Sequence, residues 1–123
     1  AFNKYLGVGC PAYEKNIDLS PRKAIKLISE VGGLSFIAHP GKYISEVDLA
    51  TLIELGIDGI EVIHPSHNDE LVNYYRSIAD EYFLLESGGS DFHGGLRNDE
   101  NCLGKYTVPY KFVETMKKRL NLK

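Results

Sequence analysis

The stretch 59–65, Gly-Ile-Glu-Val-Ile-His-Pro, is a short apolar run that ends at a His-Pro pair. Its length and its β-branched residues are typical of a buried strand. The stretch 34–40, Leu-Ser-Phe-Ile-Ala-His-Pro, has the same pattern earlier in the chain. A third apolar run leads into the glycine-rich segment 88–95, Gly-Gly-Ser-Asp-Phe-His-Gly-Gly. We therefore predict three strands, at 34–38, 60–63 and 83–87.

Segments with helical spacing precede, separate and follow these strands. Ser20 is predicted to cap the first helix, with Pro21 at its first position. Ser45 is predicted to cap a second helix from about Glu46 to Leu55, and Asn68 a third. A last amphipathic helix is predicted around residues 112–120. The alternation of helix and strand is typical of an α/β fold with a parallel sheet and helical crossovers.

The composition is that of an ordinary globular chain of about one domain: 123 residues, with 14 Lys+Arg against 17 Asp+Glu. A net charge of −3 argues against a broad nucleic-acid-binding surface. It does not exclude a nucleotide substrate bound at a single local site. No apolar run reaches the roughly 18 residues that cross a bilayer, so we expect no membrane association. Two cysteines do not make a disulfide framework, which favours a cytoplasmic location with reduced thiols.

All four histidines lie at or just after the predicted carboxyl end of a strand: His39, His64, His67 and His93. Ligands bind at this edge in parallel α/β sheets and barrels. A single histidine beside a strand is more often structural. Four at the same edge indicate a functional site.

Asp91 and His93 form the sharpest local feature. In an extended backbone, residues i and i+2 point to the same side, so their side chains would project together. A carboxylate beside an imidazole suits Zn, Mn or Fe at a hydrolytic site, although the pair could equally form a simple hydrogen bond in a loop.

Glu61 interrupts an apolar strand. Its carboxylate is either paired, metal-bound or in a cavity, or it faces water on an edge strand. Cys102 lies away from the strand ends, which argues against a nucleophilic role, and the same holds for Cys10.

Four segments together carry a family resemblance: 2–6 (Phe-Asn-Lys-Tyr-Leu), 38–40 (Ala-His-Pro), 59–62 (Gly-Ile-Glu-Val) and 88–93 (Gly-Gly-Ser-Asp-Phe-His). In this order and spacing they resemble the C-terminal half of a PHP (polymerase and histidinol phosphatase) domain. The nearest branch is that of the bacterial stand-alone metal-dependent phosphoesterases that act on nucleotides. The resemblance extends from residue 1 to about residue 110.

The resemblance implies a distorted seven-stranded β/α barrel with helices outside and two or three divalent metal ions at the strand ends. The positions that match its metal ligands are His39, Asp91 and His93. The positions that match its substrate-phosphate region are Ser66 and His67. Glu61 and His64 have no clear counterpart and stay uncertain. The implied reaction is hydrolysis of a phosphate ester by a metal-activated water, with no side-chain nucleophile and with Mn, Zn, Fe or Mg as the ion.

The chain also departs from the family, because it contains no His-x-His motif and its first histidine is His39. Three strands cannot close a barrel, and the three matched ligands cannot complete the cluster. We expect residues 1–123 to be the C-terminal portion of a single PHP domain, inactive alone and self-associating through uncovered strand surface. The alternatives are a non-catalytic binding or scaffolding module of the same fold, or a complete small α/β metalloprotein with a mononuclear site. The expected ligand is a phosphorylated small molecule or a nucleotide.

Overall fold

The protein contains a three-stranded parallel sheet. The structure, a computed structural model, describes three parts of the chain: residues 2–14, 19–97 and 99–122. The strands, in their order across the sheet, are β1 (Phe36–Ile37), β2 (Gly59–Ile63) and β3 (Leu85–Gly88). Both pairings are parallel, with Gly59 opposite Phe36 on one side and Leu85 on the other. The predicted α/β fold with three parallel strands is therefore confirmed.

Helices alternate with the strands as predicted: α1 (Pro21–Glu30), α2 (Glu46–Glu54), α3 (Asp69–Glu81) and α4 (Tyr110–Arg119). A short π-helical segment, Phe2–Leu6, precedes them. The three predicted caps are confirmed, because each side-chain oxygen accepts the backbone N–H three residues further on: Ser20, Ser45 and Asn68. Such bonds satisfy donors that the first turn of a helix leaves without a partner.

The hydrophobic core lies on one face of the sheet. Ile60 and Val62 of β2 are fully buried, and α3 packs Tyr75 and Ala79 against them. Leu49 of α2 completes this cluster. Glu61 and Ile63, which alternate with the buried pair along the strand, are only half-buried. The two faces of β2 are therefore unequal, one covered by helices and the other partly open.

Two strands are shorter than predicted. β1 does not include Ser35, because the Ser35 N–H donates to the Asp58 carboxylate at 2.8 Å. β3 begins at Leu85 and not at Phe83, since Phe83 has a φ of +55° and its side chain is 84% exposed. This left-handed conformation turns the chain out of α3 before the strand starts. The apolar pattern alone does not distinguish a turn residue from the first strand residue.

Part of the apolar surface has no cover. Neither α1 nor α4 contains a buried residue, although both helices are amphipathic. Leu27 and Val31, at the carboxyl end of α1, are 52% and 77% exposed. None of the helices within the described ranges is long and apolar enough to cross a membrane.

Candidate active site

The four histidines lie along the carboxyl edge of the sheet. His39 follows β1, His64 and His67 follow β2, and His93 lies in the loop after β3. The ring centroids of His39 and His64 are 5.6 Å apart, and those of His64 and His67 are 5.5 Å apart. The topology therefore brings the histidines of two separate strand ends into one row, and His93 follows the third strand. His64 and His67 are buried, whereas His39 is exposed and His93 half-buried.

His67 is held entirely by the backbone. Its Nδ1 lies 2.9 Å from the carbonyl oxygen of Val62, and its Nε2 accepts the N–H of Gly41 at 3.0 Å. The Tyr75 hydroxyl donates to the carbonyl oxygen of the same Gly41, and burial raises the pKa of this tyrosine. This network, which we call the Gly41 brace (Gly41, Val62, His67 and Tyr75), ties the loop after β1 to β2 and α3. Because both ring nitrogens are engaged, His67 shapes this edge of the sheet in the present structure.

His64 has one engaged and one unengaged nitrogen. Its Nδ1 accepts the backbone N–H of Ser66 at 3.1 Å and lies 2.7 Å from the Ser66 hydroxyl. Its Nε2 is buried, has no hydrogen-bond partner within the described residues, and lies 3.6 Å from Oδ2 of Asp91. The Ser66 side chain, predicted to face the substrate, thus contacts His64.

Glu61 holds the loop that carries His39. Its carboxylate accepts the backbone N–H of His39, a residue with a φ of +32°. Since β2 is the central strand, an edge-strand position for Glu61 is excluded. The Glu61 carboxylate is therefore paired, and its partner is a backbone group of a predicted metal ligand.

Asp91 and His93 meet as predicted but on a different backbone. Asp91 has a φ of +45°, so this segment is not extended. Its Oδ2 nevertheless lies 3.9 Å from Nδ1 of His93 and 3.6 Å from Nε2 of His64. The tight loop after β3, and not strand alternation, brings the carboxylate and the imidazole together.

A cavity of about 200 Å³ opens beside this pair. Its lining residues are His64, Pro65, Ser90, Asp91, His93, Arg97, Asp99 and Cys102. Arg97 is exposed and is the only permanently cationic residue among those described as lining the cavity. Ser90, Arg97 and Asp99 had no predicted function. Arg97 and Asp99 lie in a polar loop without helical or strand periodicity, and Ser90 precedes the Asp91–His93 pair.

Asp99 is the most informative of these missed residues. It is 8% exposed, and its Oδ2 accepts the His93 N–H and lies 3.6 Å from Nδ1 of His93. Its Oδ1 is buried without a partner in the described parts of the chain. Burial acts to raise the pKa of Asp99, but backbone N–H bonds from His93, Gly95 and Asp99 itself, with the nearby His93 ring, hold that pKa below its usual value. Nothing in the sequence distinguishes Asp99 from the other polar residues of this loop.

Comparison with known proteins identifies relatives of this arrangement, although no family model matches the chain. A phosphoribosyl 1,2-cyclic phosphate 1,2-diphosphodiesterase of Eggerthella lenta is 40% identical over 84 residues, which is 66% of this chain and 31% of the relative. A 3',5'-nucleoside bisphosphate phosphatase of Chromobacterium violaceum is 39% identical over 101 residues, 75% of this chain and 34% of the relative. The chain is a homologue of part of these phosphoesterases.

Solved structures agree with this relationship. A metal-dependent phosphoesterase from Bifidobacterium adolescentis superimposes with a TM-score of 0.70 at 28% identity, over 92% of this chain and 41% of its own. An amidohydrolase from Chromobacterium violaceum, solved with bound sulfate and no metal, gives a TM-score of 0.65 at 28% identity, over 96% of this chain and 43% of its own. The predicted resemblance to PHP-type phosphoesterases is confirmed. The chain spans about a third of the length of the curated relatives it matches.

Since one similar solved structure is described as a metal-dependent phosphoesterase, the donor groups of the cavity can be compared with those that a metal ion needs. Asp91 and His93 supply the carboxylate and imidazole donors that divalent transition metals prefer, on the wall of one cavity. The buried, unpartnered Oδ1 of Asp99 on the same wall is a further acceptor for a cation. Within residues 2–14, 19–97 and 99–122, however, no group of three or more His, Cys, Asp or Glu is close enough to hold an ion. The described residues therefore supply some of the ligands that a metal ion needs, but not a complete set.

Proposed function

We propose that this chain forms the C-terminal part of the active site of a divalent-metal-dependent phosphoesterase that hydrolyses nucleotide-type phosphate esters. The observation that carries the proposal is the convergence of Asp91, His93 and His64 on one cavity at the carboxyl edge of a parallel sheet. This is the edge at which α/β enzymes bind their ligands. The homology to a cyclic-phosphate diphosphodiesterase and a bisphosphate phosphatase supports a phosphate ester as the substrate.

Asp91 and His93 would hold a divalent ion, with His39 as a ligand from the neighbouring strand end. When bound, such an ion lowers the pKa of water and neutralises charge on phosphoryl oxygens. Mn, Zn, Fe and Mg all accept these donors, so the ligand types do not select one metal. No side chain in the proposal acts as a nucleophile. Cys102, expected to lie away from the site, in fact lines the cavity with Asp91 and His93, and the proposal gives its thiol no role.

Arg97 would bind the substrate phosphate. Its guanidinium lines the same cavity as Asp91 and His93, and a planar guanidinium matches the oxygens of a phosphate group. Within the described parts of the chain it has no hydrogen bond or ion pair, so it is available to a ligand. In a cavity otherwise lined by carboxylates and imidazoles, one arginine favours an anionic substrate close to the proposed ion.

The remaining part of the active site would come from an N-terminal portion of a longer protein. The half-buried face of β2, with Glu61 and Ile63, would then lie toward the interior of a seven-stranded barrel. The exposed apolar residues of α1 would contact neighbouring helices of that barrel. As an isolated chain, the 123 residues would self-associate through this surface. A cytoplasmic location, suggested by the cysteine content, belongs to the same proposal.

The experiment that tests this function compares the complete reading frame that encodes this chain with the 123-residue chain alone. Both are assayed for phosphate release from nucleoside 3',5'-bisphosphates and from cyclic phosphates in the presence of Mn²⁺. We expect turnover by the complete protein only, and its loss in Asp91→Ala and His39→Ala. Equal turnover by Asp91→Ala and the wild type would contradict the proposal.

A non-catalytic binding or scaffolding module of the same fold is the second candidate. The observation that favours it is the lack of a group of three metal-binding side chains in the described residues. It predicts that the complete protein binds a nucleotide phosphate without releasing phosphate. Equilibrium binding of a labelled nucleoside bisphosphate, measured beside the activity assay, separates the two candidates.

A further inference from the structure

The hydrogen bonds of His64 determine which of its nitrogens carries the proton. A backbone N–H can only donate, and the Ser66 N–H donates to Nδ1 of His64 at 3.1 Å. Nδ1 must therefore offer its lone pair and cannot carry a hydrogen. In the neutral imidazole the proton then lies on Nε2.

This Nε2–H faces the Asp91 carboxylate. The nitrogen is buried, lacks a hydrogen-bond partner within the described residues, and lies 3.6 Å from Oδ2 of Asp91. That separation exceeds a normal hydrogen bond by about half an ångström. The Asp91 side chain is 42% exposed and that of His64 only 10%, so the aspartate is the partner with room to move. Leaving a buried N–H unpaired is unfavourable, which favours closure of this gap.

We propose that His64 is a positioning residue that donates its Nε2–H to Oδ2 of Asp91. The bond would turn the carboxylate so that its other oxygen faces the cavity. For the role of that oxygen as a metal ligand, the inference rests on the proposed function; the His64–Asp91 contact itself does not. His64 is thereby excluded as a metal ligand. Ligation through Nε2 would move the proton to Nδ1, where it would meet the Ser66 N–H, which needs an acceptor at that position.

His67 provides an internal reference of the opposite kind. Its Nε2 accepts the Gly41 N–H, so its proton lies on Nδ1 and is donated to the carbonyl oxygen of Val62. Two buried histidines three positions apart are therefore expected in opposite neutral tautomers. Only the His64 proton faces the cavity.

The test is long-range ¹H–¹⁵N correlation spectroscopy of the 123-residue chain, labelled at histidine and held at about pH 8, where an ordinary imidazole is neutral. We expect the Nε2–H form for His64 and the Nδ1–H form for His67. In Asp91→Ala, the Nε2 resonance of His64 should shift while that of His67 stays in place. The proposal would be overturned by an Nδ1–H form of His64, or by an Nε2 chemical shift of His64 that does not change in Asp91→Ala.

Mn²⁺ binding, measured by calorimetry on the complete protein, gives the second readout. His64→Ala should weaken binding by about tenfold, the usual effect of losing a group that orients a metal ligand. His64→Gln, whose amide can still donate to Asp91, should recover most of the affinity. Wild-type affinity in His64→Ala would overturn the positioning role. If the wild type binds no Mn²⁺, the proposed function fails, and the tautomer and Asp91→Ala results decide the His64–Asp91 contact by themselves.

Discussion

The Gly41 brace and the cavity beside Asp91 each contain a buried histidine but differ in how their polar atoms are satisfied. In the brace, both nitrogens of His67 and the Tyr75 hydroxyl have protein partners. In the cavity wall, Nε2 of His64 and Oδ1 of Asp99 are buried without partners among the described residues. Buried polar groups in native proteins are normally hydrogen-bonded, so an unpaired one needs an explanation. The brace ties loops together through satisfied hydrogen bonds, whereas the unpaired atoms of the cavity wall are the reason we place the proposed ligand there.

The largest expected effect is on catalysis by the complete protein. Asp91→Ala removes a carboxylate that would hold the divalent ion in the cavity. We expect kcat/KM for a nucleoside bisphosphate to fall by about 100-fold or more, because the ion would no longer be held where it neutralises negative charge on the reacting phosphate. The free energy of unfolding should fall by no more than about 1–3 kcal/mol, the cost of leaving the buried Nε2–H of His64 without its proposed acceptor. The matched control is Asp80→Ala, an exposed aspartate on α3. A similar loss of kcat/KM in both variants would show that Asp91 has no specific role in catalysis.

The next effect is on stability and concerns the brace. His67→Ala leaves the carbonyl of Val62 and the N–H of Gly41 without their partner. Each buried group left unpaired costs about 1–3 kcal/mol, so we expect the free energy of unfolding to fall by about 2–4 kcal/mol. Urea denaturation followed by circular dichroism measures this. A loss below about 0.5 kcal/mol would mean that the brace does not hold the loops.

Tyr75→Phe should give a smaller loss of the same kind. The variant keeps the buried ring but removes the hydroxyl that donates to the Gly41 carbonyl. We expect a destabilisation of about 1–2 kcal/mol in the same denaturation experiment. Tyr74→Phe serves as the matched control, since the Tyr74 side chain is 38% exposed and should lose less than about 0.5 kcal/mol. Equal losses would assign the effect to something other than the Gly41 bond.

The smallest expected effect is the pH dependence that Asp99 confers. Because the folded chain lowers the pKa of this carboxyl, the unfolded chain binds its proton first as the pH falls. The stability that Asp99 contributes is therefore present above about pH 4 and is lost below it, as the pH passes through the folded pKa. The difference in unfolding free energy between the wild type and Asp99→Asn should shrink as the solution is acidified from pH 7. A difference that grows on acidification would contradict the prediction.

Much of the fold could be predicted because its signals are local. Ser20, Ser45 and Asn68 cap their helices as expected, since a cap depends on a side chain and the backbone three residues away. The strand boundaries were less accurate. The Asp58 carboxylate, distant in the sequence, takes the Ser35 N–H, and Phe83 adopts a left-handed turn that its apolar character conceals.

The candidate site was predictable in part for the same reason. Asp91 and His93 are two residues apart, so their proximity needed little tertiary information. Asp99 was missed because its significance depends on burial and on the His93 N–H, neither of which has a sequence pattern. The neighbours of the uncertain residues Glu61 and His64 are visible only in the tertiary structure: the His39 N–H for Glu61 and the Asp91 carboxylate for His64.

The sequence by itself determined the alternation of helix and strand, the capped helix starts, and the placement of every histidine at a strand end, because these follow from spacing along the chain. The tertiary structure alone decided the hydrogen bonds of each histidine and placed His64 in the cavity wall. His64 and His67 are three residues apart and equally buried, and their spacing along the chain does not reveal their partners. Their roles differ because the Ser66 N–H meets Nδ1 of one ring and the Gly41 N–H meets Nε2 of the other.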